Sequence, residues 1–473
     1  MPWRAALGKH RAMKTLQDPD KLLTEGLAAI REQFKVPPAF PPEVEEAARI
    51  AAARVPNEHA DRTAMPFVTL DPASSTDLDQ AFAIDISGND LLLHYAIADV
   101  SWWVRDGDAL DVEAWARGTT CYLPDGKASQ YPKLLSENVA SLLPDGDRPA
   151  VIFTVRLDSD GNAHLDGAER ALIRNRAKLA YETATEEQLP ASFAEFARRV
   201  GAAEDRRGAA RTDPPEQEVS RDAKGHFTLT LRPQLLTEQN NAALSLACNL
   251  AIADALFAAG TGLFRVMPAP DPRAIMRLRG TAKAFALDWP DAMALTDFAK
   301  TLDPAKPREA AFLMATRRGG SGASYVPFHA GEKPWHAAMA ATYAHATAPL
   351  RRLADRYVVR AALAVANGQP VPDEVSSAFQ KLPEVMAKAD GRDNQVDRAV
   401  IDLAEAAILS GREGESFDVV VTDIGDAGAR IQLCDQPVVA RVIAHGAMPG
   451  TALKVRLLGA DPARREVRFE RIS

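Results

Sequence analysis

The sequence predicts an α+β protein in three parts: a helical N-terminal region (residues 1–60), a large mixed domain (61–410) and a small β-barrel (411–473). Three observations carry this. Helical periodicity comes first and ends in a run of prolines. Short β-rich runs then alternate with long apolar helical stretches over some 350 residues. Finally, five short alternating runs crowd into the last 60 residues.

In the first part, Leu22, Leu23, Leu27, Ile30 and Phe34 recur near a 3.6-residue period, predicting a helix over 20–34. Pro37, Pro38, Pro41 and Pro42 interrupt it, and an Ala-rich helix restarts over 43–54 with acids in its first turn. In the second part, 67–70, 82–86, 91–98 and 151–157 read as strands separated by Asp, Pro, Gly and Ser. Residues 185–225 are polar and read as surface helix and loop, whereas 242–257 and 349–364 read as apolar helices. After Gly411–Gly414 the runs 417–422, 430–433, 438–443, 452–458 and 466–472 have the spacing of an OB-fold, a frequent binder of single-stranded nucleic acid.

A chain of 473 residues is too long for one hydrophobic core, and its 47% hydrophobic and 25% charged content is ordinary for a globular protein. No apolar run is expected to reach the roughly 20 residues that span a bilayer. Residues 1–14 are basic without the apolar core of a signal peptide, so a cytoplasmic protein is expected. Cys121, Cys248 and Cys434 are odd in number and far apart, matching neither a disulfide framework nor a zinc site. A net charge of −8 excludes one broad basic face but not a local one: Lys454, Arg456, Arg464, Arg465, Arg468 and Arg471 cluster near the C-terminus.

The sharpest motif is Leu70-Asp71-Pro-Ala-Ser-Ser-Thr-Asp77-Leu-Asp79-Gln80-Ala81, three carboxylates within nine residues between apolar strands. Carboxylates held together repel one another unless a cation neutralises them, and oxygen ligands suit magnesium or manganese. A solvated acidic turn is the alternative. An EF-hand fails, because Ala81 lies where a ligand should be and neither the loop glycine nor the closing glutamate follows. The second motif, Tyr343-Ala-His345-Ala-Thr347-Ala-Pro349-Leu350-Arg351-Arg352-Leu353-Ala-Asp355, predicts a helix with Pro349 in its first turn, Thr347 or Ala348 as cap and two arginines off its apolar face. That is either a phosphate site or a surface salt-bridge pattern with Asp355.

In this order the two segments resemble the signatures of the ribonuclease II family. The family's metal loop reads Asp, five residues, Asp, one residue, Asp-Asp. Asp71, Asp77 and Asp79 match the first three acids, and Gln80 stands at the fourth. Its arginine motif reads Tyr-x-His-Phe-Thr-Ser-Pro-Ile-Arg-Arg-Tyr-x-Asp, matched by Tyr343, His345, Thr347, Pro349, Arg351, Arg352 and Asp355. His94-Tyr-Ala-Ile97-Ala98-Asp99-Val-Ser, with Arg117-Gly118-Thr119 and Tyr122-Leu123-Pro124, is similar to a third stretch, so the resemblance runs from about 66 to 360. The barrel resembles the family's S1-type domain, while the 60 residues before the mixed domain leave no room for N-terminal cold-shock domains.

The resemblance implies an RNB-type domain that hydrolyses single-stranded RNA from the 3′ end to nucleoside 5′-monophosphates with Mg2+, Mn2+ being a possible substitute. It implies a monomer that needs no membrane. Asp71, Asp77, Asp79 and Gln80 would hold the metal; Asp77, Asp79 and Arg351 would be catalytic, Arg351 meeting charge on the scissile phosphate. Tyr122 would pack on the terminal nucleotides and Tyr181 line the channel. His345, Thr347 and Arg352, with Arg430, Lys454 and Arg456 of the barrel, would complete the substrate contacts. Three departures stand out. Gln80 removes a charge, the family's pair of glutamates has no match near 242–249, and Ala427 replaces a stacking aromatic. A non-catalytic RNA-binding protein and a deoxyribonuclease remain as alternatives.

Overall fold

A computed structural model describes residues 13–16, 22–209, 216–221, 227–232, 235–303, 306, 308–309, 312–313, 315–316, 322–425, 428–434 and 436–472. The chain opens with strand β1 (Met13–Leu16), followed by helices α1 (Leu22–Gln33) and α2 (Pro42–Ala52). Pro42 occupies the first turn of α2, where a missing N–H costs nothing, and Glu43 and Glu45 favour the same helix end. The expected helices are present, but the first 60 residues are not all helical, because β1 is a strand.

The mixed domain continues through β2 (Ala60–Asp61), β3 (Thr69–Asp71), β4 (Gln80–Ser87), β5 (Asp90–Ala98), α3 (Val100–Trp103), α4 (Ala109–Arg117), β6 (Cys121–Leu123), β7 (Gly126–Ala128), β8 (Asp147–Leu157), β9 (Ala163–Arg174) and β10 (Lys178–Ala180). Then come α5 (Phe193–Arg207), β11 (Glu216–Arg221), β12 (Phe227–Arg232), α6 (Leu236–Ala258), β13 (Leu263–Val266), α7 (Pro272–Ala284), α8 (Leu295–Lys300), β14 (Ser324–Pro327), α9 (Leu353–Ala366) and α10 (Asp373–Leu409). The central sheet has the order β2-β9-β8-β5-β4, antiparallel except for β2 on β9. β9 escapes sequence reading because its face is only half buried and charged residues interrupt any apolar alternation.

Helices α6 and α9 pack on this sheet and bury a core with Tyr95, Phe153, Leu244, Ile252 and Val358. Contrary to the sequence expectation, α6 is long and apolar enough to cross a membrane by length and composition. Here it is a core helix whose buried residues include Asn241 and Asn249 as well as aliphatic side chains.

The last strands, β15 (Ser416–Gly425), β16 (Gly428–Leu433), β17 (Val439–Val442), β18 (Ala452–Asp461) and β19 (Glu466–Arg471), form a sheet in the order β17-β16-β15-β18-β19. β17 also approaches β19, so the barrel is nearly closed. Gly428 has φ +101°, and an added Cβ would lie 2.7 Å from the Val442 carbonyl oxygen, so the β15–β16 turn requires glycine.

The long helix α10 is the spine of the molecule. Phe379, Leu382 and Met386 in its first half join the central core. Val396, Val400 and Leu403 in its second half share another core with Leu23, Leu27 and Ile30 of α1 and with Phe417, Val419 and Val455 of the barrel. β1 pairs with β12 and β12 with β11; β11 falls within the polar stretch 185–225, for which the sequence predicts helix and loop rather than strand.

Glu405 of α10 is buried at this junction, where its Oε1 accepts from the Val439 N–H (2.8 Å) and from Gln217 Nε2 (2.7 Å). Burial pushes its carboxyl from the ordinary 4.5 up to about 8; the two hydrogen bonds oppose the shift and Asp402 adds to it. The folded state therefore holds a proton that the unfolded chain has lost. The resulting stabilisation is complete below about pH 4.5 and disappears as pH rises through about 8. Glu405→Gln should gain stability relative to wild type between pH 5 and 8, seen as melting temperatures that diverge by a few degrees. Parallel pH profiles would contradict this.

Candidate active site

Each motif acid is positioned by a neighbour that belongs to the core. Asp71 ends β3, which pairs in parallel with β10 (Leu70 opposite Leu179, Asp71 opposite Ala180). Leu78 is fully buried; its N–H donates to Ser141 Oγ (2.8 Å) and its carbonyl accepts from the Leu142 N–H (3.0 Å). With Leu78 anchored inward, Asp77 and Asp79 on either side of it turn towards the polar centre. The Asp79 carbonyl accepts from the Ala98 N–H (2.9 Å), and Gln80 opens β4 opposite Ile97.

The arginine segment meets the acid loop through Asp79. Asp79 Oδ1 accepts from the Leu350 N–H (2.6 Å) and Oδ2 from Arg351 Nε (3.2 Å). Here the structure corrects the sequence reading. Pro349–Arg351 form a turn, Arg352 is the extended N-cap residue of α9, and the helix starts at Leu353, so neither Thr347 nor Ala348 caps it. Pairing with the 118–120 segment holds the arginines out of the helix: the Thr120 N–H donates to the Arg351 carbonyl (2.9 Å) and the Leu353 N–H to the Gly118 carbonyl (3.0 Å). Gly118 has φ +74°, and an added Cβ would lie 2.7 Å from the Ala389 side chain of α10.

Arg352 is bound to Asp355 by two hydrogen bonds (3.0 and 2.9 Å), and Asp355 Oδ2 also accepts from the Ala348 N–H (2.7 Å). His345 Nδ1 lies 2.8 Å from the Tyr325 hydroxyl, and burial drives the imidazole well below its ordinary pKa. Thr347 Oγ1 lies 2.9 Å from Ser245 Oγ, and Asn249 Oδ1 accepts from the Ala346 N–H (2.9 Å). These residues tie the segment to α6 and β14.

On the other side of the acids, Tyr122 is 48% exposed and donates its hydroxyl proton to Asp77 Oδ2 (3.1 Å). Lys127 Nζ forms ion pairs with Asp77 Oδ1 (2.8 Å) and Glu137 Oε1 (3.3 Å). Tyr181 donates its backbone N–H to the Asp71 carbonyl (3.2 Å), and its hydroxyl accepts from Asn241 Nδ2 (3.0 Å). Lys127, Glu137, Asn241 and Asn249 were not singled out from sequence. One signal was available: Pro124-Asp125, followed by Gly126, makes a hairpin turn, and its register sets Lys127 directly opposite Tyr122.

Burial pushes the Asp71 carboxyl up to about 6, with Arg351 opposing and Asp77 adding. Burial pushes Asp79 up to about 7, opposed by Arg351 and the Leu350 N–H and reinforced by Asp77 and Asp355. Asp71 Oδ2 is buried without a hydrogen-bond partner. Clustered oxygen donors, two of them with costly charge and one orphaned, fit a hard divalent cation. Among the described residues no three His, Cys, Asp or Glu side chains are grouped closely enough to hold a metal ion as they stand. Asp77 is instead turned to Lys127 and Tyr122.

The barrel residues lie apart from this cluster and are partly neutralised. Lys454 faces Asp418 (3.5 Å), Arg456 faces Glu470 (3.3 Å), and Arg430 lies on β16 opposite Arg441 in register. Ala427 lies outside the described residues. On α6, where no glutamate pair was found by sequence, Asn241 and Asn249 are the buried polar groups that reach Tyr181 and the arginine segment. Glu238 instead accepts from the Leu235 N–H at the start of the helix (2.7 Å).

Residues 60–367 match the RNB domain, and residues 415–472 match the RNase II-type exonuclease C-terminal S1 domain. The chain is 25% identical to Ribonuclease R of Aquifex aeolicus, an alignment covering 91% of the chain and 64% of that protein. It is 27% identical to Exoribonuclease 2 of Cronobacter sakazakii over 80% of the chain and 62% of that protein. It therefore spans a little under two thirds of the length of these relatives. In structure it is similar to Mycoplasma genitalium RNase R in complex with ribose-methylated single-stranded RNA, with a TM-score of 0.84 at 18% identity, covering 97% of this chain and 79% of that one. Two domain matches in this order, on a fold shared almost from end to end, show that the chain belongs to the RNB family of ribonuclease II type and carries its C-terminal S1 domain.

Proposed function

We propose that this chain is a cytoplasmic, monomeric exoribonuclease that removes nucleoside 5′-monophosphates from the 3′ end of single-stranded RNA with a divalent metal. The observation that carries this is the meeting of Asp79 with Arg351 beside Asp71 and Asp77, which joins an acidic centre to a phosphate-binding cation. Asp71, Asp77 and Asp79, with the amide oxygen of Gln80, would hold magnesium or manganese. Such an ion supplies an activated water and positive charge at the phosphoryl oxygens.

The chain's own residues supply the rest. Asp79 fixes the Arg351 guanidinium, which is 48% exposed, where it meets charge developing on the scissile phosphate. Tyr122 presents a half-exposed ring on which a terminal base can stack. Tyr181 borders Asp71 on the opposite side. His345, Thr347 and Arg352 act through the protein: they hold the turn that presents Arg351. Arg430, Lys454 and Arg456 provide weaker, salt-sensitive attraction from the barrel.

Incubating 5′-labelled RNA and matching DNA with Mg2+ should give a ladder that shortens from the 3′ end on RNA only, with mononucleotides as the product. Internal cleavage or equal DNA degradation would contradict the proposal. Asp79→Asn preserves size and an acceptor for the Leu350 N–H. It should slow cleavage at least about 100-fold, a barrier increase of roughly 2.7 kcal/mol, while RNA binding persists. Cleavage within tenfold of wild type would mean that the acidic centre is misassigned.

Gln80 favours a second reading, an RNA-binding protein without turnover. Under the main reading, Gln80→Asp lowers the magnesium requirement and leaves the maximal rate similar. Under the second, wild type is inactive at every Mg2+ or Mn2+ concentration and only the Asp variant cleaves. Titrating both proteins with both metals separates the two.

A further inference from the structure

Lys127 is a charged residue at the acidic centre for which the mechanism above has no use. It sits on β7 with a side chain only 18% exposed, and its ammonium bridges Asp77 Oδ1 (2.8 Å) and Glu137 Oε1 (3.3 Å). Two elements hold it there: the β6–β7 hairpin, with Lys127 opposite Tyr122, and the π-helical turn Leu135–Val139, which supplies Glu137. Tyr122 takes the other oxygen of Asp77 (3.1 Å). Both oxygens of Asp77 are thus engaged by the protein, whereas Asp71 Oδ2 has no partner.

We propose that Lys127 is a tethered counter-ion that competes with the divalent cation for Asp77. The inference rests on the metal-dependent reading above. An ammonium 2.8 Å from one motif acid balances the charge that a bound metal would otherwise balance. A cation arriving at the same carboxylate must share or displace it, and two like charges that close repel strongly in a part-buried site. Glu137 gives the displaced ammonium a second carboxylate to lean on, so the exchange need not leave a buried charge unpaired. Lys127 thereby keeps the cluster assembled without metal and sets how much metal is needed to activate it. Because Gln80 already removes one charge from the cluster, Lys127 weakens metal binding further.

The alternative is a strut that merely orients Asp77, and removal of a strut should weaken metal binding. The two accounts differ in sign. The test is Mn2+ binding to the metal-free full chain without RNA, with free Mn2+ read by electron paramagnetic resonance. Lys127→Met and Lys127→Gln both remove the charge; the second keeps a hydrogen-bond donor for Asp77 and serves if the first fails to fold. Each should bind Mn2+ at least about fivefold more tightly than wild type, as expected when a unit charge is removed a few ångströms from the ion. Lys127→Arg should stay within about twofold of wild type, since it preserves the charge. Mn2+ should also raise the melting temperature of the neutral variants more than that of wild type. Unchanged or weaker binding in both neutral variants, with wild type binding Mn2+ through Asp71, would overturn the inference and leave the functional reading standing. If neither wild type nor the neutral variants bind Mn2+, or if Asp71→Asn does not weaken binding, the metal reading and this inference fall together.

Discussion

The carboxylate of Asp79 holds the site together. One oxygen takes the Leu350 N–H and the other takes Arg351 Nε, joining two segments some 270 residues apart in the chain. A buried carboxylate is costly to charge, and here burial does raise its pKa. Two donors from one turn offset part of that cost, so the acid loop and the arginine turn stabilise each other. The rest of the arrangement keeps that turn in place. Asp355 holds the Ala348 N–H and Arg352, Asn249 holds the Ala346 N–H, and the Gly118–Thr120 backbone pairs with Arg351–Leu353.

The scaffold brings four separate stretches to this point. The acids come from β3 and the entry to β4, Tyr122 and Lys127 from the hairpin, Tyr181 from just after β10, and the arginines from the turn before α9. Helix α10 then carries the chain from the central core to a second core shared by α1 and the barrel. The N-terminal helix and the barrel are therefore packed together rather than strung at opposite ends of the molecule. The barrel is joined to the rest of the molecule through that shared core.

Much of this was legible because the signals are local. Asp71, Asp77 and Asp79 stand out by spacing, and Tyr343 to Asp355 stand out as a motif. Among the barrel strands, β16 and the first halves of β15 and β18 alternate because only one face is buried. What was not legible depends on tertiary pairing. β9 looks polar because much of it is solvated, and β1 and β11 are strands through their pairing with β12. Pro349 reads as a helix start on local preference, but hydrogen bonds to Gly118 and Thr120 hold the chain out of the helix until Leu353. Glutamates were sought on α6, where asparagines do the polar work, and Lys127 was not singled out.

Charge balance links these features to function. Asp77 is balanced by Lys127, Asp79 in part by Arg351, and Asp71 retains an orphaned oxygen within the same field. That leaves a gap for one further positive charge among the motif acids, on which the proposed chemistry depends. The most direct measurement is anomalous diffraction from crystals of the full chain soaked in Mn2+. The account predicts a peak within about 2.5 Å of Asp71 Oδ2 and of an Asp79 oxygen. A crystal that binds Mn2+ elsewhere, with no peak at these carboxylates, would contradict it.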